Sequence, residues 1–154
     1  MQKIVSQIRD LEVIEKELSS NQAGVLALAY DGDKITQLIT TFLYMDKNIY
    51  IFFHQDDELY DNLQMDSSAI FSILKQGKIK KTKSINFDPT YSIFSITIKG
   101  NVKKVDDPKL IEEAKNNYLL KYKKQSGGNI DYLFITKVIL IDTEEIHAFE
   151  ETGG

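Results

Sequence analysis

Among the 154 residues there are two histidines, His54 and His147, and no cysteine. Thiol nucleophiles, disulfides, cysteine-bound zinc and iron–sulfur clusters are therefore excluded, and so is a histidine-rich metal centre. His54 follows an aromatic run, Ile49-Tyr-Ile-Phe-Phe53, and precedes an acidic one. That position suits the mouth of a strand layer, where a ligand can bind; a polar strand end facing solvent is the simpler account. His147 lies near the C-terminus, where an exposed tail residue is the simpler account. Asp56, Asp57 and Glu58 set three carboxylates in a row. They have no evident partner for holding a metal, and acidic side chains at the positive end of a short helix explain them. Lys75, Lys78, Lys80, Lys81 and Lys83 place five lysines in nine residues. Such a set suits phosphate or a polyanion; more simply, it guards a strand edge against unwanted pairing. Sequence motifs for catalysis are missing. Gly77-Lys78 is followed by Ile79 and lacks the earlier glycine of a phosphate loop, and GxGxxG, HExxH and GxSxG do not occur. Asp31-Gly-Asp33 fails as a calcium loop because Phe42 stands where a bidentate glutamate is needed.

The composition narrows the partners. Lys plus Arg is 19 and Asp plus Glu is 23, a formal charge of −4. The acidic balance argues against a general nucleic-acid binder. A hydrophobic fraction of 42% with 27% charged residues is ordinary for one globular domain. A chain of this size buries roughly 70% of its unfolded surface and needs no staples. Charges interrupt every long apolar window, so neither a spanning helix nor a signal-peptide core is expected. The resulting expectation is a cytoplasmic protein without a membrane partner.

The elements that must position these residues follow from periodicity. Ile4, Ile8, Leu11, Ile14 and Leu18 form one helical stripe, so a helix is predicted over 4–18. Gly24 to Tyr30 is a short apolar run, and Asp31-Gly32 is a strong hairpin signal. Lys34 to Tyr44 reads as the returning strand, Met45 to Asn48 as a turn, and Ile49 to Phe53 as a third strand, giving a three-stranded meander. Residues 56–65 read as a short helix, Ala69 to Leu74 as a strand, and Tyr91 to Val105 as a long strand. Asp107-Pro108 opens a helix, with Asp as cap and Pro in the first turn. Ile111, Ala114, Tyr118 and Tyr122 are its buried stripe, and Lys121, Lys123 and Lys124 suit its negative end. Tyr132 to Ile141 is a last strand, apolar on both faces, which requires cover on both. The eight tyrosines and eight phenylalanines are expected mostly in the core. The fold class is α+β: a mainly antiparallel, closed or nearly closed barrel with flanking helices. Residues 1–149 form the single domain and 150–154 a flexible tail.

The stretch GVLALAYDGDKITQLITTFLYMDKNIYIFFHQDDELYDNLQMDSSAIFSIL resembles the core of the pyridoxamine 5′-phosphate oxidase-like family, the FMN-binding split β-barrels. The features that carry the resemblance are an N-terminal helix, a strand opening Gly-Val-Leu-Ala, an Asp-Gly turn and a strand ending Phe42-Leu43-Tyr44. An aromatic third strand and a short helix ending Asn62-Leu63 follow. Gly100 to Val105, then Asp-Asp-Pro and a helix, resembles the later half. The likeness spans roughly residues 4–142. It implies a homodimer with FMN in a cleft between two barrels, and a small flavin-dependent oxidoreductase in which the cofactor carries the redox chemistry. The flavin ring is implied near Thr40 and Thr41, and the ribityl phosphate near Phe53, His54, Gln55 and Leu59.

One departure is plain. The family often grips the phosphate with a Ser-Arg-Lys-like segment, which aligns here with Asp57, Glu58 and Leu59, and the sole arginine is Arg9. A carboxylate about 6 Å from a phosphate charge costs on the order of 3 kcal/mol at an effective dielectric of roughly 20. Lys75 and the lysines after it, or Lys103 and Lys104, are candidate replacements. The pyridoxamine phosphate reaction itself is disfavoured, because its substrate also needs cations. Two alternatives stand beside FMN: a barrel holding haem through His54 or His147, and an anion-binding protein using Lys75 to Lys83.

Overall fold

The computed structural model describes residues 2–79, 88–126 and 135–154. Two tight turns set the first half of the fold. Asp31 and Gly32 have φ of 43° and 82°, and Asp46 and Lys47 have 51° and 65°. Consecutive left-handed residues match the twist of tight hairpins; the first loop holds three residues, because Tyr30 pairs with Lys34, and the second holds two, because Met45 pairs with Asn48. The first turn joins β2 (Ala23–Tyr30) to β3 (Lys34–Thr41), and the second joins β4 (Leu43–Met45) to β5 (Asn48–His54). Before them lie β1 (Lys3–Ile8) and α1 (Leu11–Ser20). After them come α2 (Glu58–Asp61), β6 (Ser68–Gln76), β7 (Tyr91–Lys104), α3 (Pro108–Ser126) and β8 (Ile135–Gly153).

All named strand pairs are antiparallel, in the order β3-β2-β6-β7-β8-β5-β4, with β1 added on β8. The two ends of that path, β3 and β4, are consecutive in the chain and meet at Phe42. The ring of strands is thus closed by covalent continuity, and a split remains where β3 does not pair with β5. This is the expected α+β, mainly antiparallel split β-barrel.

β8 is its spine. One edge pairs with β7 from Tyr91↔Gly153 to Lys104↔Ile139. The other edge pairs first with β5 and then with β1. Lys99 faces Glu145 while Gly100 faces Thr143, so Glu144 is the extra residue of a bulge that bends this long pair.

The barrel interior holds Leu26, Phe42, Ile51, Phe71, Ile98 and Ile139, all fully buried, with Ile14 and Leu18 of α1 joining them. A second cluster lies outside the ring. There Ala114 and Tyr118 of α3 pack on Leu43 and Tyr50, and on Val138 of β8. α3 therefore supplies the outer cover that the doubly apolar end of β8 requires.

Four expectations are corrected. Residues 4–18 are not one helix. Residues 3–8 form a strand because β8 offers them a partner edge, and Asp10 then caps α1, its carboxylate accepting from Glu12 N at 3.0 Å. Residues 150–153 are not a frayed tail: Glu150 to Gly153 pair with β1 on one side and β7 on the other. His147, read as a tail residue, is a β8 residue opposite Thr97. The strand 34–44 is broken at Phe42, and the third strand of the meander pairs with β4 and β8 rather than with β3. Tyr132 to Phe134, and Lys80, Lys81 and Lys83, lie outside the described residues.

Candidate functional site

The break at Phe42 gathers an aromatic cluster. Tyr122 OH donates to Gln22 O at 2.6 Å or Phe42 O at 3.0 Å, and accepts from Phe42 N at 3.0 Å. Lys121 Nζ donates to Phe42 O at 3.0 Å and lies 3.6 Å from the Phe42 ring centroid. Tyr118 OH and Thr41 Oγ1 are 2.8 Å apart. The Tyr118 ring lies 4.5 Å from Phe52 and 4.6 Å from Tyr122, centroid to centroid. The end of β3, the middle of β5 and the last turns of α3 are thereby tied at one rim of the split. Burial pulls the Lys121 ammonium down to about 8 and pushes the Tyr122 hydroxyl up to about 12.

The residues implied by the family resemblance divide into two sets. Thr41, His54 and Gln55 are exposed at the ends of β3 and β5, and Thr40 is half-buried beside Thr41. Phe53 and Leu59 belong to the wall: Phe53 is buried and meets Tyr60 at 5.7 Å edge-on, and Leu59 packs on the barrel core. His54 Nδ1 accepts from Asp56 N at 3.3 Å and is 3.8 Å from the Asp56 carboxylate. His147 is 3.3 Å from Glu145 in the β1-paired half of β8, whereas His54 pairs with Ile135 at the other end. The two imidazoles of one chain therefore do not converge.

The acidic run acts on its own helix. The Asp57 carboxylate accepts from Leu59 N at 2.9 Å as the cap of α2. An anion at this place would meet a carboxylate already bonded there. Of the lysines considered as replacements, Lys75 and Lys103 are paired with other carboxylates, whereas Lys104 lies beside α2. Lys75 pairs with Glu17 at 2.5 Å and Lys103 with Asp66 at 2.5 Å. Lys104 lies 5.8 Å from the Tyr60 ring centroid and Lys137 lies 5.2 Å from it, with Lys137 also paired to Asp61 at 3.1 Å. Among the described residues no group of three His, Asp or Glu could hold a metal ion. No helix there is long and apolar enough to cross a membrane.

Among the described residues nothing covers the outer face of β2, β3 and β6. Ile35, Ile39 and Leu74 are 78%, 83% and 71% exposed. Neighbouring strands align Ile39 with Val25 and Ile35 with Ala29, with Gln37 between them and Leu74 on the same face of β6.

Sequence reading missed the work of α3. Tyr118 and Tyr122 were expected only as core stripe, and Lys121 only as a charge near the helix end. The i,i+4 tyrosines were visible; their distant partners at Thr41 and Phe42 were not.

No family model matches the sequence, and no curated protein matches it. Solved structures match it over nearly its whole length. An FAD-binding protein from Mesorhizobium loti has a TM-score of 0.70 at 16% identity, covering 99% of this chain and 100% of that one. A proposed pyridoxamine 5′-phosphate oxidase from Corynebacterium glutamicum has a TM-score of 0.64 at 16% identity, covering 100% and 98%. An FAD and haem binding protein from Mycobacterium smegmatis has a TM-score of 0.64 at 13% identity, covering 97% of this chain and 74% of that one. The fold is that of the pyridoxamine 5′-phosphate oxidase-like split barrels, and the resemblance stated from the sequence holds at that level.

Proposed function

We propose that this protein is a flavin-binding split barrel of the oxidoreductase type, working as a homodimer, with FMN as the first candidate cofactor. The observation that carries this reading is the split itself. β3 and β5 do not pair, and Thr41 at the end of one and His54 and Gln55 at the end of the other are exposed, with Thr40 half-buried beside Thr41. Hydroxyls and backbone groups suit the polar edge of an isoalloxazine ring, and the aromatic rim suits its faces. A second copy on the outer face would cover Ile35, Ile39 and Leu74 and enclose the ring between chains. A bound flavin supplies the redox chemistry; this chain's residues hold it and keep water away.

At α2 four carboxylates, Asp56, Asp57, Glu58 and Asp61, outnumber the two lysines beside Tyr60, Lys104 and Lys137, and Lys137 is already paired to Asp61, so the phosphate of FMN gains little there. Asp57 holds the Leu59 amide there, and Asp56 and Glu58 add two further exposed carboxylates. Affinity should therefore come from the ring. Titration by flavin fluorescence is expected to give riboflavin and FMN dissociation constants within about fivefold, less than 1 kcal/mol. An FMN preference of a hundredfold would show a phosphate clamp that this reading omits.

The direct test is a visible spectrum of freshly purified protein, repeated after adding FMN and removing the excess. Retained flavin bands support the proposal. A protein that retains none rejects it, and a Soret band after adding haem would move the reading to a haem-binding barrel.

A further inference from the structure

The two hydroxyls at the end of β3 are used differently. Strand alternation puts Thr40 on the face of Leu38, which packs on the barrel core, and Thr41 on the face of Ile35 and Ile39. Thr40 Oγ1 donates to the Thr41 carbonyl at 3.0 Å, so its proton is spent within the strand. Thr41 Oγ1 instead lies 2.8 Å from Tyr118 OH, and among the described residues neither hydroxyl has another partner. That bond uses one proton and leaves the other. A phenol is the better donor and an aliphatic hydroxyl the better acceptor, so Tyr118 donates and the Thr41 proton stays free.

This donor is held from both sides. The Tyr118 ring is lodged between Phe52 at 4.5 Å and Tyr122 at 4.6 Å, which fixes where its hydroxyl can lie. The next residue, Phe42, donates its N–H to Tyr122 OH and accepts at its carbonyl from Lys121, which fixes the backbone beside Thr41. Thr41 itself is exposed. Water would serve an exposed hydroxyl nearly as well, so the pair adds little to folding. What it adds is direction.

We infer that Tyr118 is a positioning residue for the flavin ring: through Thr41 Oγ1 it aims the Thr41 O–H at an acceptor on the ring's polar edge. The inference rests on the flavin reading and gives its two threonines different parts, Thr41 as donor to the ring and Thr40 as a brace within the strand. The polar edge of an oxidised isoalloxazine suits such a donor, since N1, N5 and both carbonyls accept and only N3–H donates. A donor aimed beforehand loses less freedom on binding than one that turns.

Riboflavin, which isolates the ring from the phosphate, is titrated by flavin fluorescence against the parent, Tyr118→Phe, Thr41→Val and the double variant. Each single variant should weaken binding about fivefold, the loss of one neutral hydrogen bond. In the Thr41→Val background Tyr118→Phe should have no further effect, a coupling that action through Thr41 produces. Thr41→Ser keeps the hydroxyl and should retain most of the parent affinity. Equal losses from Tyr118→Phe in both backgrounds would mean that the phenol only supports the fold. That result, or unchanged binding by either single variant, overturns the inference and leaves the flavin reading standing. A parent that binds no riboflavin would reject the flavin reading and this inference with it.

Discussion

Lys121 is held at the price of hydration. Burial lowers its ammonium from the ordinary 10.5 to about 8. Between those values the unfolded chain binds a proton that the folded chain does not, so stability rises with pH across that window. The tyrosines act in the opposite sense. Burial raises Tyr44, Tyr50, Tyr60 and Tyr122 above 10, so folding loses stability once the unfolded tyrosines ionise. The Lys121 effect is therefore clean between about pH 8 and 9.5. Thermal unfolding should show the parent gaining stability over that interval relative to Lys121→Met. Equal slopes for the two proteins would show that Lys121 is not desolvated. Methionine matches the length of the lysine stem without its charge, and the Phe42 carbonyl then shares the single Tyr122 hydroxyl proton with Gln22 O. Tyr122→Phe removes that donor and also leaves Phe42 N without its acceptor. A cost of roughly 1–3 kcal/mol in urea unfolding is expected.

The elements show what could be read in advance and what could not. The hairpins at Asp31-Gly32 and Asp46-Lys47, the long strand β7 and the Asp107-Pro108 start of α3 follow from local chemistry, and the sequence displays them. β1 did not, because Ile4 and Ile8 fit a helical stripe as well as they fit a strand. Only the free edge of β8, some 140 residues away in the chain, decides between them. The same long pairing draws Glu150 to Gly153 into the sheet despite their polar sequence. Of the candidate site, the ends of β3 and β5 were legible, whereas the α3 contacts with Thr41 and Phe42 depend on which elements become neighbours. Gly100 tests the β7–β8 pairing that underlies this. A Cβ there would lie 2.2 Å from Asp142 O and 2.8 Å from its carbonyl carbon, which are backbone atoms and yield little. Gly100→Ala should cost about 1–3 kcal/mol, the range of overpacking. Denaturant unfolding would measure it, and a loss below about 0.5 kcal/mol would mean that the bulge relaxes freely.

At the scale of the whole molecule, the ring buries its interior yet leaves Ile35, Ile39 and Leu74 in water on one side. α3 covers the outer face of β4, β5 and β8, so among the described residues the exposed face is the half of the barrel that α3 does not cover. In the proposed homodimer a twofold axis makes each residue count twice. Burying a large aliphatic side chain is worth roughly 1.5–3 kcal/mol. Replacing Ile35 and Ile39 with glutamate removes that gain and adds the cost of burying charge. The double variant Ile35→Glu/Ile39→Glu should weaken association by at least a thousandfold. Sedimentation should then find a monomer of 17.7 kDa where the parent has twice that mass. Its far-UV circular dichroism should be unchanged, because both side chains already face solvent within one chain. Flavin affinity should fall together with association, because a ring enclosed by two chains loses half its walls in one. A monomeric variant that binds flavin as tightly as the parent would place the whole site within a single barrel. The apolar face would then need a different partner.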